Sequence, residues 1–290
     1  MPALVALVAV TAVWGVTFVQ VKDAVAIYPL FAFLAVRYLI ATGVLGLAGA
    51  GRVASLGRTG LGAGALLGTL LGLGIGLQTA GLERTTVSST GFITGLYVVF
   101  TPLLGLALFR TRVGAAVWLG VGLSVVGLGL LTGIDVGSTA GDLLVLASAA
   151  AQALQIVMLE RYASRYDAVA LTLVEMATCA AAFLVIALAL GDLAVPRGQT
   201  VWAALLVTGV FASALAYLIQ VWAQRRLSAA RIALVFALET VWAGLFGYLL
   251  DGDRLGLLGW SGCVLILAGI VVAEPAAAGT LRRLVVRPQT

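Results

Sequence analysis

Ten apolar runs, each about 20 residues long, follow one another along this chain. About 20 residues in an α-helix cross the hydrocarbon core of a bilayer. The runs therefore predict an all-α membrane protein with ten transmembrane helices and short connections. Their approximate ranges are 3–21, 29–50, 60–82, 87–109, 113–133, 141–160, 168–190, 200–224, 231–250 and 255–273.

The composition supports a multi-pass membrane protein in a lipid bilayer. Hydrophobic residues make up 62% of the chain and charged residues 10%, whereas charged residues make up about 25% of a soluble domain. The net charge of +5 comes from arginines that stand singly or in pairs between the runs. This pattern is typical of a membrane charge bias, and we expect no nucleic-acid partner. The first run has no basic leader, so we expect a spanning helix and not a cleaved signal.

The residue types exclude most catalytic and metal sites. The chain has no His, and its only Lys, Lys22, follows no phosphate-binding Gly-rich loop. We therefore expect no enzyme, no ATP site, no metal and no cofactor. An intramembrane enzyme is the rival class, but the acidic stretch at 251–253 falls at a connection. Cys179 and Cys263 lie inside apolar runs, and we expect buried packing residues and not a disulfide.

The placement of the basic residues predicts the orientation. If the N-terminus is cytoplasmic, twelve arginines fall on cytoplasmic connections or in the basic tail at 274–290, against three arginines and one Lys on the opposite side. The positive-inside rule then places both termini in the cytoplasm, with the protein in the inner membrane. The cytoplasmic set is Arg52, Arg58, Arg110, Arg112, Arg161, Arg165, Arg225, Arg226, Arg231, Arg282, Arg283 and Arg287, and the opposite set is Lys22, Arg84, Arg197 and Arg254.

The chain contains an internal repeat. A shift of 142 residues places Gln78 on Gln220 and Trp118 on Trp260, and a shift nearer 138 aligns the earlier helices. Five predicted helices fall in each half, and because five is odd, the halves enter the membrane from opposite sides. This architecture places a binding site near the midplane, where the repeats meet. The two inverted five-helix repeats are predicted at 1–133 and 141–273.

Four stretches carry a resemblance to a known family: VWGVTFVQVKDA at 13–24, FAFLAVRYLIA at 31–41, and the longer runs at 89–131 and 227–272. Over nearly the whole chain they resemble the drug/metabolite transporter superfamily, and within it the EamA-type permeases. The resemblance implies a secondary transporter, export more often than import, and peripheral fifth and tenth helices. The family's second half usually has a Pro where this chain has Thr240.

Polar and aromatic residues recur at helical spacing in several runs, which places each set on one helix face. Because lipid cannot satisfy polar groups, we expect these faces to turn inward and to line a cavity for a small amphipathic solute. The alternative is that these groups bond to one another as helix packing. The predicted substrate-binding residues are Trp14, Thr17, Gln78, Thr94, Tyr97, Gln152, Gln155, Tyr217, Gln220, Glu239 and Trp242.

Glycines predict close helix packing. Small residues every four positions let two helices approach closely in a membrane. Gly64, Gly68, Gly72 and Gly76 form such a face in the third predicted helix, and Gly120 and Gly127 in the fifth and Gly259 and Gly262 in the tenth are expected to act in the same way.

Three ionisable residues inside the runs are candidates for coupling or gating: Arg37, Glu175 and Glu239. Arg37 and Glu175 occupy matching places at the shift of 138, which raises the hypothesis of an ion pair that breaks and re-forms. In the alternative, each is structural. Glu239 is nearer the midplane, and its repeat partner is Tyr97. An intramembrane carboxyl marks a functional site by default, so Glu239 either exchanges a proton, contacts a solute amine, or is a structural neutral acid.

These features together predict a secondary transporter that moves a small-molecule substrate by alternating access. The expected solute is an amino acid or a related amphipathic metabolite, and the expected direction is export. Because no ATP site is present, a proton gradient or an exchange substrate must supply the drive. The alternatives are a lipid-linked sugar flippase and a membrane partner subunit without transport of its own. The unit is expected to be a monomer or a homodimer.

Overall fold

The computed structural model describes residues 2–85, 87–132, 139–250 and 256–273. Within those ranges the regular structure is helical, with no strand. The predicted basic tail at 274–290 and the connection that holds Asp253 and Arg254 lie outside the described residues.

Helices occupy all ten apolar runs in the described part of the chain. Seven of the runs hold one continuous helix each. These are α1 (Pro2–Val25), α2 (Leu30–Gly49), α3 (Gly57–Leu82), α6 (Ala115–Thr132), α7 (Thr139–Tyr162), α8 (Ala168–Leu190) and α13 (Leu257–Ala273). The other three are interrupted. They hold α4 (Val87–Gly95) with α5 (Tyr97–Phe109), α9 (Gln199–Leu206) with α10 (Ala216–Gln224), and α11 (Ala229–Phe236) with α12 (Leu238–Leu250).

Seven helical segments among the described residues are long and apolar enough to cross a membrane. One of them, Leu30–Leu82, spans 53 residues and contains both α2 and α3, which a 3₁₀ helix at Ala50–Leu56 connects. Two shorter apolar helices, Ala115–Leu131 and Leu257–Ala273, accompany them. The protein is therefore a multi-span membrane protein.

The interruptions between α4 and α5 and between α11 and α12 fall at nearly equivalent places in the repeat. The first is at Leu96 and the second at Ala237, within one residue of the shift of 142. At the second, the Ala237 N–H is shared between the carbonyls of Ala233 and Leu234, both at 3.2 Å. This sharing tightens the turn, so the interruption forms without the family's usual Pro, which is Thr240 here.

The eighth run contains a wider helical segment between α9 and α10. Residues Val207–Leu215 form a π-helix of nine residues, a rare conformation that is frequent at functional sites. The equivalent residues of the first half, 65–73, belong to the regular helix α3. The repeat symmetry is therefore broken at this segment.

The repeat-equivalent helices α6 and α13 run antiparallel. In the packing of α6 against α13, Gly120 lies beside Gly269 and Gly127 lies beside Gly262. The shift of 142 exchanges these two contacts, because it places Gly120 on Gly262 and Gly127 on Gly269. The close packing predicted for Gly120, Gly127 and Gly262 is confirmed, and Gly259 is also buried.

The glycine face of α3 packs against α8. A Cβ atom at Gly64 would lie 2.7 Å from the Val174 side chain, and one at Gly68 would lie 2.6 Å from Thr178. At Gly72 and Gly76 the neighbours are Cys179 and Phe183. The predicted small-residue contact is confirmed at all four glycines. Cys179 and Cys263 are free and buried, as expected of packing residues.

We name the end of the bundle that carries the α1–α2 connection the Tyr28 end. There the Tyr28 hydroxyl donates a hydrogen bond to the Ala194 carbonyl at 2.6 Å, and Lys22 donates to the Thr85 carbonyl at 3.3 Å. The Thr85 hydroxyl donates to the Asp142 carboxylate at 2.8 Å. These bonds join α1, α3, α7 and the α8–α9 connection.

We name the opposite end, which carries the α7–α8 connection, the Tyr166 end. Arg225, directly after α10, donates to the Ala163 carbonyl at 2.8 Å and also to the Tyr166 carbonyl. Carbonyls at the end of a helix lack partners within that helix, so Arg225 satisfies them and ties α10 to α7. Arg52 pairs with Asp167 at 3.7 Å, an exposed contact that contributes little to stability.

Replacing Gly127 with Ala is expected to destabilise the protein through the α6–α13 contact. The added Cβ would lie 2.6 Å from the Gly262 carbonyl oxygen and 3.0 Å from the Ile266 nitrogen. Overpacking of this kind costs about 1–3 kcal/mol. Gly122→Ala is the matched control, because a Cβ on Gly122 in the same helix meets nothing within 4 Å. Thermal unfolding of the two purified variants gives their unfolding temperatures. Equal unfolding temperatures for Gly127→Ala and Gly122→Ala would contradict the assigned contact.

Candidate functional site

A cavity lies near the middle of the bundle. Residues of α1, α2, α3, α5, α7 and α10 to α12 enclose it. Its volume is about 60 Å³ for the centres of water-sized molecules, and on that measure one water needs about 10–15 Å³. Val21 and Leu82, near the ends of α1 and α3, line it. Gln220, four residues before the end of α10 at the Tyr166 end, lines it as well. The cavity has room for several waters or a compact solute.

Ten of the thirteen residues predicted for binding, coupling or gating line this cavity. They are Trp14, Thr17, Arg37, Gln78, Tyr97, Gln152, Gln155, Tyr217, Gln220 and Glu239. The other three, Thr94, Glu175 and Trp242, do not line it. Helices α6 and α13 contribute no lining residue, in agreement with the peripheral position that the family resemblance implies.

Thr94 and Trp242 have packing contacts behind the cavity wall. The Thr94 hydroxyl accepts a hydrogen bond from the Gln78 side chain at 3.0 Å. Trp242 lies against Gly15, where an added Cβ would be only 2.7 Å from the Trp242 Cβ. These two residues hold cavity-lining helices together and do not face the cavity.

Aromatic rings form one wall of the cavity. The Trp14 ring lies 4.7 Å from the Phe236 ring, edge to face, and 5.7 Å from the Tyr217 ring. The Tyr97 ring lies 6.3 Å from the Phe236 ring. Trp14 is held in place because its indole N–H donates to the Ala212 carbonyl at 2.9 Å. This wall offers apolar surface and ring faces, which attract cations.

Phe236 is a lining residue that the predicted site leaves out. Four residues before Glu239 stands Val235, which is buried in the core and does not line the cavity. Three residues before Glu239 stands Phe236, and this spacing also places two side chains on one helix face. The spacing of three residues is therefore the signal that could have found Phe236.

Glu239 and its repeat partner Tyr97 begin equivalent helical segments. Tyr97 is the first residue of α5, and Glu239 lies in the first turn of α12. Their side chains are neighbours in the cavity. The N-terminal end of a helix carries partial positive charge and favours an anionic group. When ionised, Glu239 can pair with a cation or an ammonium group, and at the cavity surface it is also accessible for proton exchange.

A network of side-chain hydrogen bonds lies behind the cavity. Gln155 donates to Glu175 at 2.7 Å, Gln220 donates to Gln155 at 3.1 Å, and Gln224 donates to the Ile156 carbonyl at 2.8 Å. Oε2 of Glu175 and Oε1 of Gln220 are buried without a hydrogen-bond partner among the described residues. The network joins α7, α8 and α10 and ends at the cavity, where Gln155 and Gln220 reach its surface.

Arg37 is bound to the π-helical segment and not to Glu175. Its Nε donates to the Ser213 hydroxyl at 2.9 Å. No ion pair of Arg37 is present among the described residues. Close approach of the helices depends on Gly209 in the same segment, where a Cβ would lie 3.0 Å from the Arg37 carbonyl. The hypothesis of an Arg37–Glu175 pair that breaks and re-forms stays a prediction.

A multi-span helical bundle around a central cavity with charged, amide and aromatic groups is the architecture of a membrane transporter. Among the described residues no cluster that could hold a metal ion is present. The EamA-like transporter family model matches residues 1–133 and 139–273. The chain belongs to the EamA-like transporter family, so it is a transporter and not an enzyme, and it acts on a small-molecule substrate in a lipid bilayer.

Known relatives agree with this membership. A protein of Archaeoglobus fulgidus (strain ATCC 49558 / DSM 4304 / JCM 9628 / NBRC 100126 / VC-16) that carries the name "Uncharacterized transporter" is 30% identical over 275 residues, which cover 94% of this chain and 84% of the relative. A solved crystal structure superposes with a TM-score of 0.77 at 19% identity, and the match covers 96% of this chain and 98% of the other. That likeness shows the fold alone.

Replacing Gln155 with Leu is expected to destabilise the protein, because Glu175 then loses the hydrogen bond that its carboxyl accepts. A buried polar group without a partner costs about 1–3 kcal/mol. Removing Glu175 as well, in Gln155→Leu with Glu175→Leu, is expected to recover part of the loss. Thermal unfolding of the two single variants and the double variant measures the coupling.

The matched control for this pair is Gln152→Leu. Gln152 is on the same helix and lines the same cavity, but its side chain donates to Ser148 of its own helix at 2.9 Å. We expect a smaller effect and no coupling to Glu175. Strictly additive losses for Gln155 and Glu175 would contradict the network.

Proposed function

We propose that this protein is a secondary transporter that exports a small amphipathic metabolite, such as an amino acid, across the inner membrane by alternating access. One observation carries the proposal. A single cavity holds a guanidinium from Arg37, a carboxyl from Glu239 and a wall of aromatic rings. Such a lining recognises a small solute that has both polar and apolar parts.

The topology that supports this function has ten spans in two inverted five-helix repeats, at 1–133 and 141–273, with both termini and the tail at 274–290 in the cytoplasm. The antiparallel packing of equivalent helices supports the inversion, and the arginine distribution supports the orientation. In this orientation the Tyr28 end faces outward and the Tyr166 end faces the cytoplasm. The proposed transport unit is a monomer or a homodimer.

The two ends of the bundle support alternating access, because they are closed by different contacts. Arg225 ties α10 to the end of α7 at the Tyr166 end. The equivalent position in the first half, 142 residues earlier, is Glu83, which is exposed and has no donor for a carbonyl. At the Tyr28 end the hydrogen bonds of Tyr28, Lys22 and Thr85 join the helices instead. In this proposal, transport alternates between a conformation in which the Arg225 contacts are broken and one in which the contacts at the Tyr28 end are broken.

The residues that line the cavity also supply candidates for coupling. Glu239 is the carboxyl that a solute or a proton reaches from the cavity, and Arg37 is a cation that lines the same cavity. Glu175 is linked to the cavity only through Gln155. A proton gradient acting on Glu239, or exchange of one solute for another, supplies the free energy for transport.

Replacing Arg225 with Ala is expected to shift the protein toward the conformation that is open at the Tyr166 end. A cysteine introduced at the cavity-lining Thr17 reports the shift, because a membrane-impermeant thiol reagent reaches it only from the open side. With Arg225 intact, labelling of the Thr17→Cys protein should come mainly from outside, and Arg225→Ala should raise labelling from the cytoplasmic side several-fold. The protein without Thr17→Cys gives the background from the two buried cysteines.

Arg226→Ala is the matched control for this experiment. The neighbouring Arg226 donates to the Trp222 carbonyl of its own helix and ties no second helix. It should leave the labelling pattern unchanged. Equal labelling patterns for Arg225→Ala and the parent protein would show that Arg225 does not close the Tyr166 end.

The function itself is tested with the purified protein in liposomes loaded with a cell metabolite extract that includes the amino acids. We expect an imposed proton gradient or added external solute to drive specific solutes out of these vesicles and not out of protein-free vesicles. Glu239→Gln should lower the proton-driven rate at least tenfold, because an amide does not exchange the proton. Its control, Gln152→Asn, changes a cavity-lining amide without removing a carboxyl.

Two results would count against this proposal in different ways. If no solute leaves the vesicles in a protein-dependent manner, the chain is not an independent transporter. If the Glu239→Gln protein still transports with an undiminished response to the proton gradient, the protein is a transporter but Glu239 does not couple transport to protons.

A further inference from the structure

The carboxyl group of Asp142 is buried with one oxygen unused. Asp142 lies in the first turn of α7 and is 6% exposed. Its Oδ1 accepts the hydrogen bond from the Thr85 hydroxyl, whereas its Oδ2 has no hydrogen-bond partner among the described residues. A buried carboxylate that lacks a partner is strongly unfavourable. The Tyr28 end therefore contains a place for a cationic group at Oδ2 of Asp142.

Lys22 is a cationic group that a single residue links to this carboxyl. Its ammonium group donates to the Thr85 carbonyl at 3.3 Å, which is long for a hydrogen bond, and it has no ion pair among the described residues. An ammonium group has three N–H donors, and in Lys it stands on a flexible stem of four carbons. Thr85 thus holds a cation on its carbonyl and an anion on its hydroxyl, and the stem of Lys22 allows the ammonium group to move from one to the other.

The start of α7 is packed tightly against the connection that carries Thr85. A Cβ atom on Gly141 would lie 2.9 Å from the carbonyl oxygen of Arg84, so Asp142 and Thr85 are held side by side by the backbone. Lys22 is on a different helix, in the last turn of α1. Movement of α1 relative to α7 would therefore move Lys22 and leave Thr85 with Asp142.

The three residues border the cavity. Val21, next to Lys22 in the chain, lines the cavity, and so does Leu82, three residues before Thr85. Helix α1 also contributes the ring of Trp14 to the lining. A change in the position of α1 therefore acts on the cavity and on Lys22 together.

We propose that Lys22 and Asp142 form an ion pair that closes the Tyr28 end of the cavity when the Tyr166 end is open. This inference rests on the proposed alternation between two conformations and names the contact that closes the first end. In this structure Lys22 donates to Thr85. When the Tyr28 end tightens, the ammonium group leaves the Thr85 carbonyl and bonds to Oδ2 of Asp142, where burial strengthens the attraction between opposite charges. When that end opens, α1 carries Lys22 away from both residues.

The first test detects the contact itself in the purified full-length protein in liposomes. Dicyclohexylcarbodiimide, a membrane-permeant reagent, activates a carboxyl group, and an amine in contact with that group displaces the urea and forms an amide. Lys22 is the only lysine of the chain, so mass spectrometry of the digested protein identifies a Lys22–Asp142 amide. We expect this product, with a several-fold higher yield in Arg225→Ala, which removes contacts that close the Tyr166 end. Arg226→Ala is the control and should leave the yield unchanged.

The second test measures closure with the Thr17→Cys protein and a membrane-impermeant thiol reagent added outside. Lys22→Met and Asp142→Asn should each raise the labelling several-fold, and the double variant should raise it no further than either single variant. Asp142→Asn keeps an oxygen for the Thr85 hydroxyl, so its effect reports the charge and not that hydrogen bond. Lys22→Arg, which keeps the charge, should label like the parent. Asp23→Asn is the matched control, because Asp23 is an exposed carboxylate next to Lys22, and it should leave the labelling unchanged.

Three results would overturn the inference. If the folded protein gives no Lys22–Asp142 amide, the two groups do not meet. If the effects of Lys22→Met and Asp142→Asn add in the double variant, the two groups act separately. If the amide forms but neither variant changes the labelling, the ion pair does not close the Tyr28 end. Neither test needs a transported solute. If both tests give the expected results and the liposomes release no solute, the ion pair is confirmed and the proposed transport function fails.

Discussion

The structure depends on one constraint: polar groups buried among apolar helices must find partners within the protein, because lipid offers none. At the centre of the bundle two bonds meet this constraint on the same π-helical segment. The Trp14 indole donates to the Ala212 carbonyl, and Arg37 donates to the Ser213 hydroxyl. The donors line the cavity, whereas the acceptors lie behind it. A ligand in the cavity would therefore lie against the two side chains that bond to this segment.

The repeat makes the scaffold nearly symmetric and leaves the site asymmetric. The contact of Gly120 with Gly269 and its equivalent in the other half use the same residue type at both places. At the polar positions, by contrast, the two halves carry different residue types. Arg37 is matched by Glu175, and Tyr97 is matched by Glu239, so an inversion of the helices places unlike chemical groups at equivalent depths. In the proposed mechanism, a nearly symmetric scaffold allows two conformations of similar energy, and the unlike groups give a solute or a proton different contacts in each of them.

Sequence patterns predict the helices and most of the cavity, because both follow from single-helix properties. The apolar runs give the helix bounds to within a few residues, and helical spacing selects lining residues such as Gln155. The partner of Arg37 was not predictable in this way. Its match to Glu175 rests on equal depth along two helices, whereas the bond to Ser213 depends on rotation of the π-helical segment, which no residue pattern signals. The interruption at Ala237 is not signalled either, because no Pro or Gly stands at that position.

The surroundings of the two intramembrane carboxyls separate their roles. Glu175 is fully buried and accepts a hydrogen bond from Gln155, which stands between it and the cavity. Glu239 lies at the cavity surface. A proton or a solute can therefore reach Glu239 in this conformation, whereas Glu175 becomes accessible only if Gln155 moves. Because Gln155 accepts a hydrogen bond from Gln220 of α10, the proposed movement of α10 at the Tyr166 end would act directly on the residue that separates Glu175 from the cavity. The exposure of Glu175 therefore depends on the conformation of the protein and not on the solute alone.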